Sequence, residues 1–288
     1  MGIALFLFGN IIAQNSSLAI SREPNTPSPY WSAALDLFDA GDNLPCYTSG
    51  NPSCIPVPGP DDWRVSIAWG RTLVSLAYEA TKSSLSTPPP SPSPAPSPSS
   101  PRSSHTTQRF APRSPLAAIA PLRMQGCLAH SRASASELLT HAADQFARGI
   151  FHMPHHAAHG RIDDDDDDGS TSCRPRELFT IGSEVLAVAE RLNDVEARRR
   201  WATWADAVFH QMHMEADVDA WRARIGVARG RCWLVMGSVR ADEMEDALER
   251  GDVRVLQSKE ADDARAALAM GKSKEIFFCI FDFGLTRN

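Results

Sequence analysis

A chain of 288 residues that is 43% apolar and only 22% charged holds enough apolar side chain for a packed core in one or two domains. Its net charge of −6 removes the electrostatic case for nucleic acid as the main partner, and six cysteines over that length do not make a disulfide scaffold. The charge is uneven: no Asp or Glu lies between Glu79 and Glu137, whereas the part after Asp163 is crowded with both.

The chain opens with Ile3–Ala13, an apolar run of signal-peptide length that is too short to span a bilayer as a helix. No Lys or Arg precedes it and Ile11 suits a cleavage site poorly, so a buried N-terminal helix and a misplaced start codon compete with a secretory signal. Asn15-Ser16-Ser17 fits the glycosylation triplet. Residues 1–27 are therefore set apart as an apolar segment of open role.

Residues 28–82 read as an N-terminal helical part. Ser28-Pro29 opens a helix with proline in the first turn, Trp31, Ala34, Leu35 and Phe38 line one face, and Gly41 is expected to stop it. Cys46 and Cys54 flank a Gly/Pro/Asn loop and are read as reduced loop cysteines, with pairing as the alternative in an oxidising compartment. Asp61 or Asp62 then caps a longer helix bearing Trp63, Ile67, Gly70, Val74 and Ala77. Residues 83–133 are rich in Ser, Pro and Arg, a composition that favours extended polyproline conformation and cannot bury enough side chain to fold.

A linking helix over 134–154 starts at the capping box Ser134–Glu137, presents Leu138, Ala142, Phe146 and Ile150, and ends at Pro154. Residues 155–175 form a His/Asp-rich loop: six adjacent carboxylates from Asp163 to Asp168 repel one another by roughly 0.7 kcal/mol per pair at about 6 Å even in water, so they stay solvated.

The helical array of residues 176–270 is what the rest is organised around. Leu178, Ile181, Val185, Val188 and Leu192 mark its first helix. Trp201, Trp204, Val208 and Met212 mark the second, with Asn193 and Glu196 as a capping pair. Val218, Trp221, Ile225, Ala228, Cys232 and Val235 mark the third, capped by Asp217 and closed by Gly237. Two shorter helices, Asp242 to Gly251 and Ser258 to Leu268, complete it. An echo of Asp61–Arg71 in Asp219–Arg231 marks either two related helices or a chance similarity between two amphipathic ones. The tail 271–288 has no helical stripe. It and the Ser/Pro stretch after Thr81 look foreign to the design, as translated intron would.

The fold class is all-α, an antiparallel helix-hairpin array of TPR-like or solenoid type with Ser/Pro-rich and poly-Asp disordered insertions. For chemistry, Gly271-Lys272-Ser273 fails as a phosphate loop because Ala266 replaces the leading glycine, and no hydrolase, zincin or dinucleotide fingerprint occurs. His152, His155, His156 and His159, with His210 and His213, give the alternative reading of a metal-binding protein or metal-dependent enzyme. Pro154 and Gly160 make that patch a loop without rigid supports, so no metal or other cofactor is assigned. Arg64, Arg71, Arg222, Arg229 and Arg231 gather near the echoed glycines and read as a solvated face or, as the alternative, a basic strip for an acidic peptide of a protein partner.

The segments Glu177–Leu186, Trp201–Asp206, Ala228–Val235 and Ala264–Met270 resemble the fungal nuclear family called enhancer of translation termination, over 30–80 and 134–270. The resemblance implies a TPR-like, non-enzymatic regulator of translation termination and hypoxic gene expression. It implies protein partners, no membrane, a nuclear or nucleocytoplasmic location, and no catalytic residues. Family members typically begin with a Lys-rich segment, and this chain begins Met1-Gly-Ile-Ala-Leu-Phe instead. Secretion is the alternative if residues 1–13 are a signal peptide.

Overall fold

The computed structural model describes residues 1–19, 23–42, 62–85, 116, 133–154, 173–214, 221–259 and 261–272. These are helical, with no strand among them: α1 (Gly2–Gln14), α2 (Ser28–Asp42), α3 (Asp62–Leu85), α4 (Ala135–His152), α5 (Cys173–Ala189), α6 (Val195–His213), α7 (Arg222–Glu249) and α8 (261–272). The protein is all-α over this range. The chain divides into two units, residues 1–61 with 68–142 and residues 62–67 with 143–288.

In the first unit α1 and α2 form an antiparallel pair. The apolar run of α1 turns Leu5, Phe6, Gly9 and Ile12 inward and leaves Ile3, Leu7 and Ile11 exposed. Gly9 sits against the Trp31 ring, and Trp31 Nε1 donates to Asn10 Oδ1 at 3.0 Å. Phe8 meets Tyr30 edge-on at 5.0 Å, and Phe38 stacks on Trp69 at 5.9 Å. Tyr30 is fully buried and donates from its hydroxyl to Glu23 at 2.8 Å; burial, then that carboxylate, push its pKa up. Asn15 is engaged locally, its Oδ1 accepting from Ser17 N and Oγ at 3.1 and 2.7 Å. Helix α2 runs one residue beyond Gly41, and α3 continues to Leu85, past the point where the Ser/Pro composition begins. Leu116, inside that composition, is helical and fully buried.

The second unit is built on α5, α6 and α7. Gly182 of α5 lies against Phe209 of α6, and Arg198 of α6 donates to the Leu192 carbonyl, so these two run antiparallel. Asp206 meets Arg229, Thr203 meets Met236 and Arg198 meets Asp242, which sets α6 and α7 antiparallel too. The core between them holds Leu178, Ile225 and Cys232, which the three-four periodicity marks, together with Leu186, Ala205 and Phe209, which it does not single out. Phe146 of α4 adds a ring contact to Trp204. The buried Arg174 donates to the Ile150 and Met153 carbonyls at 2.9 and 2.8 Å, serving the acceptors that the end of α4 leaves open before Pro154.

Three further boundaries differ from expectation. Gly237 does not close a helix: α7 passes through it to Glu249, merging the third helix with the expected Asp242–Gly251 helix. The reason is steric, because a Cβ on Gly237 would lie 2.7 Å from Leu268 Cγ of α8. The true stop is Gly251, at φ 85, a conformation that glycine adopts without strain. Gly271, placed with the tail by sequence, belongs to α8, where its missing Cβ makes room for Leu234. The cap of α6 is Asp194, whose Oδ2 accepts from Ala197 N at 3.0 Å, while Asn193 stays exposed one residue before it. The capping box of α4 forms as expected, with Ser134 N donating to Glu137 Oε2 at 2.7 Å and Glu137 N donating to Ser134 Oγ at 3.2 Å. Asp61, Asp217, Cys46, Cys54 and residues 273–288 lie outside the described residues.

Two substitutions test this packing. Gly182→Val, forced against Phe209, is expected to lower stability by about 1–3 kcal/mol. Gly226→Ala, with nothing within 4 Å of the new Cβ, is expected to raise it by about 0.5–1 kcal/mol. Urea unfolding measures both, and equal shifts would contradict the steric account. Similarly, Asp194→Ala should cost about 0.5–2 kcal/mol and Asn193→Ala almost nothing, read from the same curves.

Candidate interaction surface

An α-helix advances about 100° per residue, so residues seven apart share a face and residues two apart lie about 200° apart. On α7 this puts Arg222 with Arg229 on one side and Arg224 with Arg231 on another. The buried residues Ile225, Ala228 and Cys232 run between those two sides, facing α5 and α6.

The two flanks are used differently. On the α6 side, Arg229 Nε and Nη2 donate to the two oxygens of Asp206 at 2.7 and 3.2 Å, and the guanidinium lies 5.3 Å from the centre of the Trp233 ring. Both side chains are only 19% exposed, so this pair is held well away from water and fixes α7 on α6. On the α5 side, Arg231 Nη2 reaches both oxygens of Glu190 at 2.7 and 2.8 Å, at an exposure where such a pair is worth at most about 1 kcal/mol. Arg224 is exposed and lies over the Trp221 ring at 5.3 Å. Arg222 is exposed at the start of the helix.

Between α5 and α7 lies a cleft of about 230 Å³. Phe179 and Leu186 of α5 and Val227 and Ala228 of α7 line it, with Ser183 between them and Arg224 and Arg231 at its edges. Phe179 is set by two ring contacts, to Phe209 at 5.7 Å and to Trp221 at 5.3 Å. A second, larger cleft of about 470 Å³ lies between α4 and α6, lined by Ile150, Trp204 and Val208 and bordered by Phe151, which is 79% exposed.

The other two arginines of the candidate strip sit on α3. Arg64 is exposed over the Trp63 ring at 5.3 Å in the second unit, and Arg71 lies 5.7 Å from the Phe6 ring in the first. Of these five arginines, Arg222 and Arg229 share one side of α7, and Arg231 alone lines the α5–α7 cleft. Arg224, absent from that strip, joins it there. Its signal was available: it precedes Arg231 by seven residues, the spacing of a shared face. Arg174 gave no such signal, because its carbonyl partners belong to the preceding helix.

Of the histidines, His152 is exposed at the end of α4, edge-on to Phe151 at 5.0 Å, and His210 and His213 are exposed in the last turn of α6. His155, His156, His159 and Asp163–Asp168 lie outside the described residues. Among the described residues no three His, Cys, Asp or Glu side chains converge as metal ligands, and no helix is long and apolar enough to cross a membrane. Cys232 is fully buried, and burial, then the nearby Asp206 and Glu190, push its thiol pKa up. Iodoacetamide at mildly alkaline pH should therefore leave Cys232 unlabelled in the native protein and label it after unfolding, as peptide mass mapping would show. Native labelling at that position would contradict the packing of α7.

Compared with known protein families, with characterised proteins and with solved structures, the chain matches none of the three.

Proposed function

We propose that this protein is a non-enzymatic helical adaptor that works by contact with other proteins. The observation that supports this best is the sequential stacking of α5, α6, α7 and α8. Each is paired antiparallel with the next, and surface clefts lie between α5 and α7 and between α4 and α6. In this reading the array is of TPR-like type, and the Ser/Pro-rich composition that follows Leu85 and the poly-Asp run that precedes Cys173 are those of disordered insertions between its helical parts. The segments Glu177–Leu186, Trp201–Asp206, Ala228–Val235 and Ala264–Met270 add the resemblance to the enhancer of translation termination family, so the adaptor is assigned to regulating translation termination in the nucleus and cytoplasm. Its partners are regulatory or termination-related proteins.

A stop-codon readthrough reporter tests the assignment in the protein's own host. Deleting the gene should raise readthrough several-fold, and the wild-type chain should restore it. Readthrough that deletion leaves unchanged would remove the termination role.

A further inference from the structure

The arginines of α7 are placed against the helix's own electrostatics. From Arg222 to Arg240 the helix has five Arg and no Asp or Glu, and its first turn has no acidic residue and no side-chain cap. Positive charge at a helix N-terminus meets the positive end of the macrodipole, so Arg222 and Arg224 gain nothing from the helix they stand on. Arg229 is accounted for by Asp206. Among the described residues Arg224 meets the Trp221 ring, and it remains exposed at the rim of an apolar cleft.

We infer that the α5–α7 cleft docks an acidic amphipathic segment of a partner protein. An apolar side chain of that segment enters over Phe179, Leu186 and Val227, and its carboxylates pair with Arg224 and, in competition with Glu190, with Arg231. The cleft's 230 Å³ is the share of about eight water molecules at ~30 Å³ each, room for a leucine or phenylalanine side chain. The complementarity is that of an apolar floor with cationic edges, the arrangement that groove-binding helices with acidic flanks satisfy. A phosphate backbone would leave the apolar floor unused, and the net charge of −6 opposes it.

Fluorescence polarisation on the full chain tests this with three labelled probes. These are a sixteen-residue Glu/Asp-rich peptide with leucines at helical spacing, the same peptide with Gln and Asn for Glu and Asp, and a single-stranded RNA of similar length. The acidic peptide is expected to bind at least ten-fold tighter than its neutral counterpart, and more weakly as salt rises. Arg224→Glu should weaken it at least ten-fold, whereas Arg254→Glu, the same charge change outside this cleft, should not. Arg224→Glu also puts an acid in the first turn of α7, so its melting temperature should hold or rise, which separates impaired binding from impaired folding. Equal binding of acidic and neutral peptides, unaltered binding by Arg224→Glu, or a preference for RNA would overturn the inference.

The proposal rests on the adaptor reading, and the two fail differently. Arg224-dependent peptide binding, with readthrough indifferent to gene deletion, keeps the cleft and removes the termination role. Deletion-sensitive readthrough without peptide binding does the reverse.

Discussion

The second unit depends on one close approach, that of Gly182 to Phe209. A Cβ at position 182 would lie 2.8 Å from two atoms of the Phe209 ring, so only a glycine lets α5 and α6 come this near. The consequence travels outward through rings. Phe209 meets Phe179, Phe179 meets Trp221 at the N-terminal edge of α7, and Trp221 lies under Arg224. The floor and one cationic edge of the α5–α7 cleft are therefore positioned by how closely α5 packs on α6. Gly9 under Trp31 and Gly237 under Leu268 repeat the device, each pairing a glycine with a large side chain from the neighbouring helix. Dispersion attraction weakens steeply across even a small gap, so such notches resist opening, and that rigidity lets a surface cleft keep its shape.

Helix α7 shows what the packing must overcome. Its first half holds arginines and its second half holds Asp242, Glu243, Glu245, Asp246 and Glu249, so both ends have the sign that the macrodipole disfavours. At about 1.5 Å per residue its 28 residues span roughly 42 Å, and they are held from the side instead. Asp206 and Glu190 receive two of the arginines, Asp242 receives Arg198, and Leu268 fills the Gly237 notch. A helix supported this way can keep a charge at one edge that no carboxylate among the described residues pairs, and Arg224 sits at that edge.

The helices and their buried faces were legible because periodicity depends only on near neighbours along the chain. Leu178, Ile181, Val185 and Val188 fell where a three-four repeat puts them, and so did Trp201, Val208 and Met212. The Ser134–Glu137 box was legible for the same reason, since both partners lie within one turn. Gly237 was not. A glycine that ends a helix and a glycine that admits a neighbour look alike in sequence, and what distinguishes them is Leu268 in another helix. Asn193 and Asp194 are equally good caps, so a one-residue shift of boundary decided which is used. The arginines were legible as a group but not by face: Arg229 and Arg231 stand about 200° apart on α7, and Arg224, on the side of Arg231, was not in the group. Arg174 was beyond reach, because nothing near it in sequence reveals a buried guanidinium closing the previous helix.

The central claim is that close packing of α5 on α6 and α7 shapes a cleft made for acidic partner segments. Amide chemical-shift mapping of the isotope-labelled protein during titration with the acidic peptide tests it most directly. The account predicts saturable shifts concentrated at Phe179, Ser183, Arg224 and Val227, with Phe151 and Arg254 unmoved. Shifts centred on the α4–α6 cleft around Phe151 and Trp204, or scattered with no saturation, would contradict it.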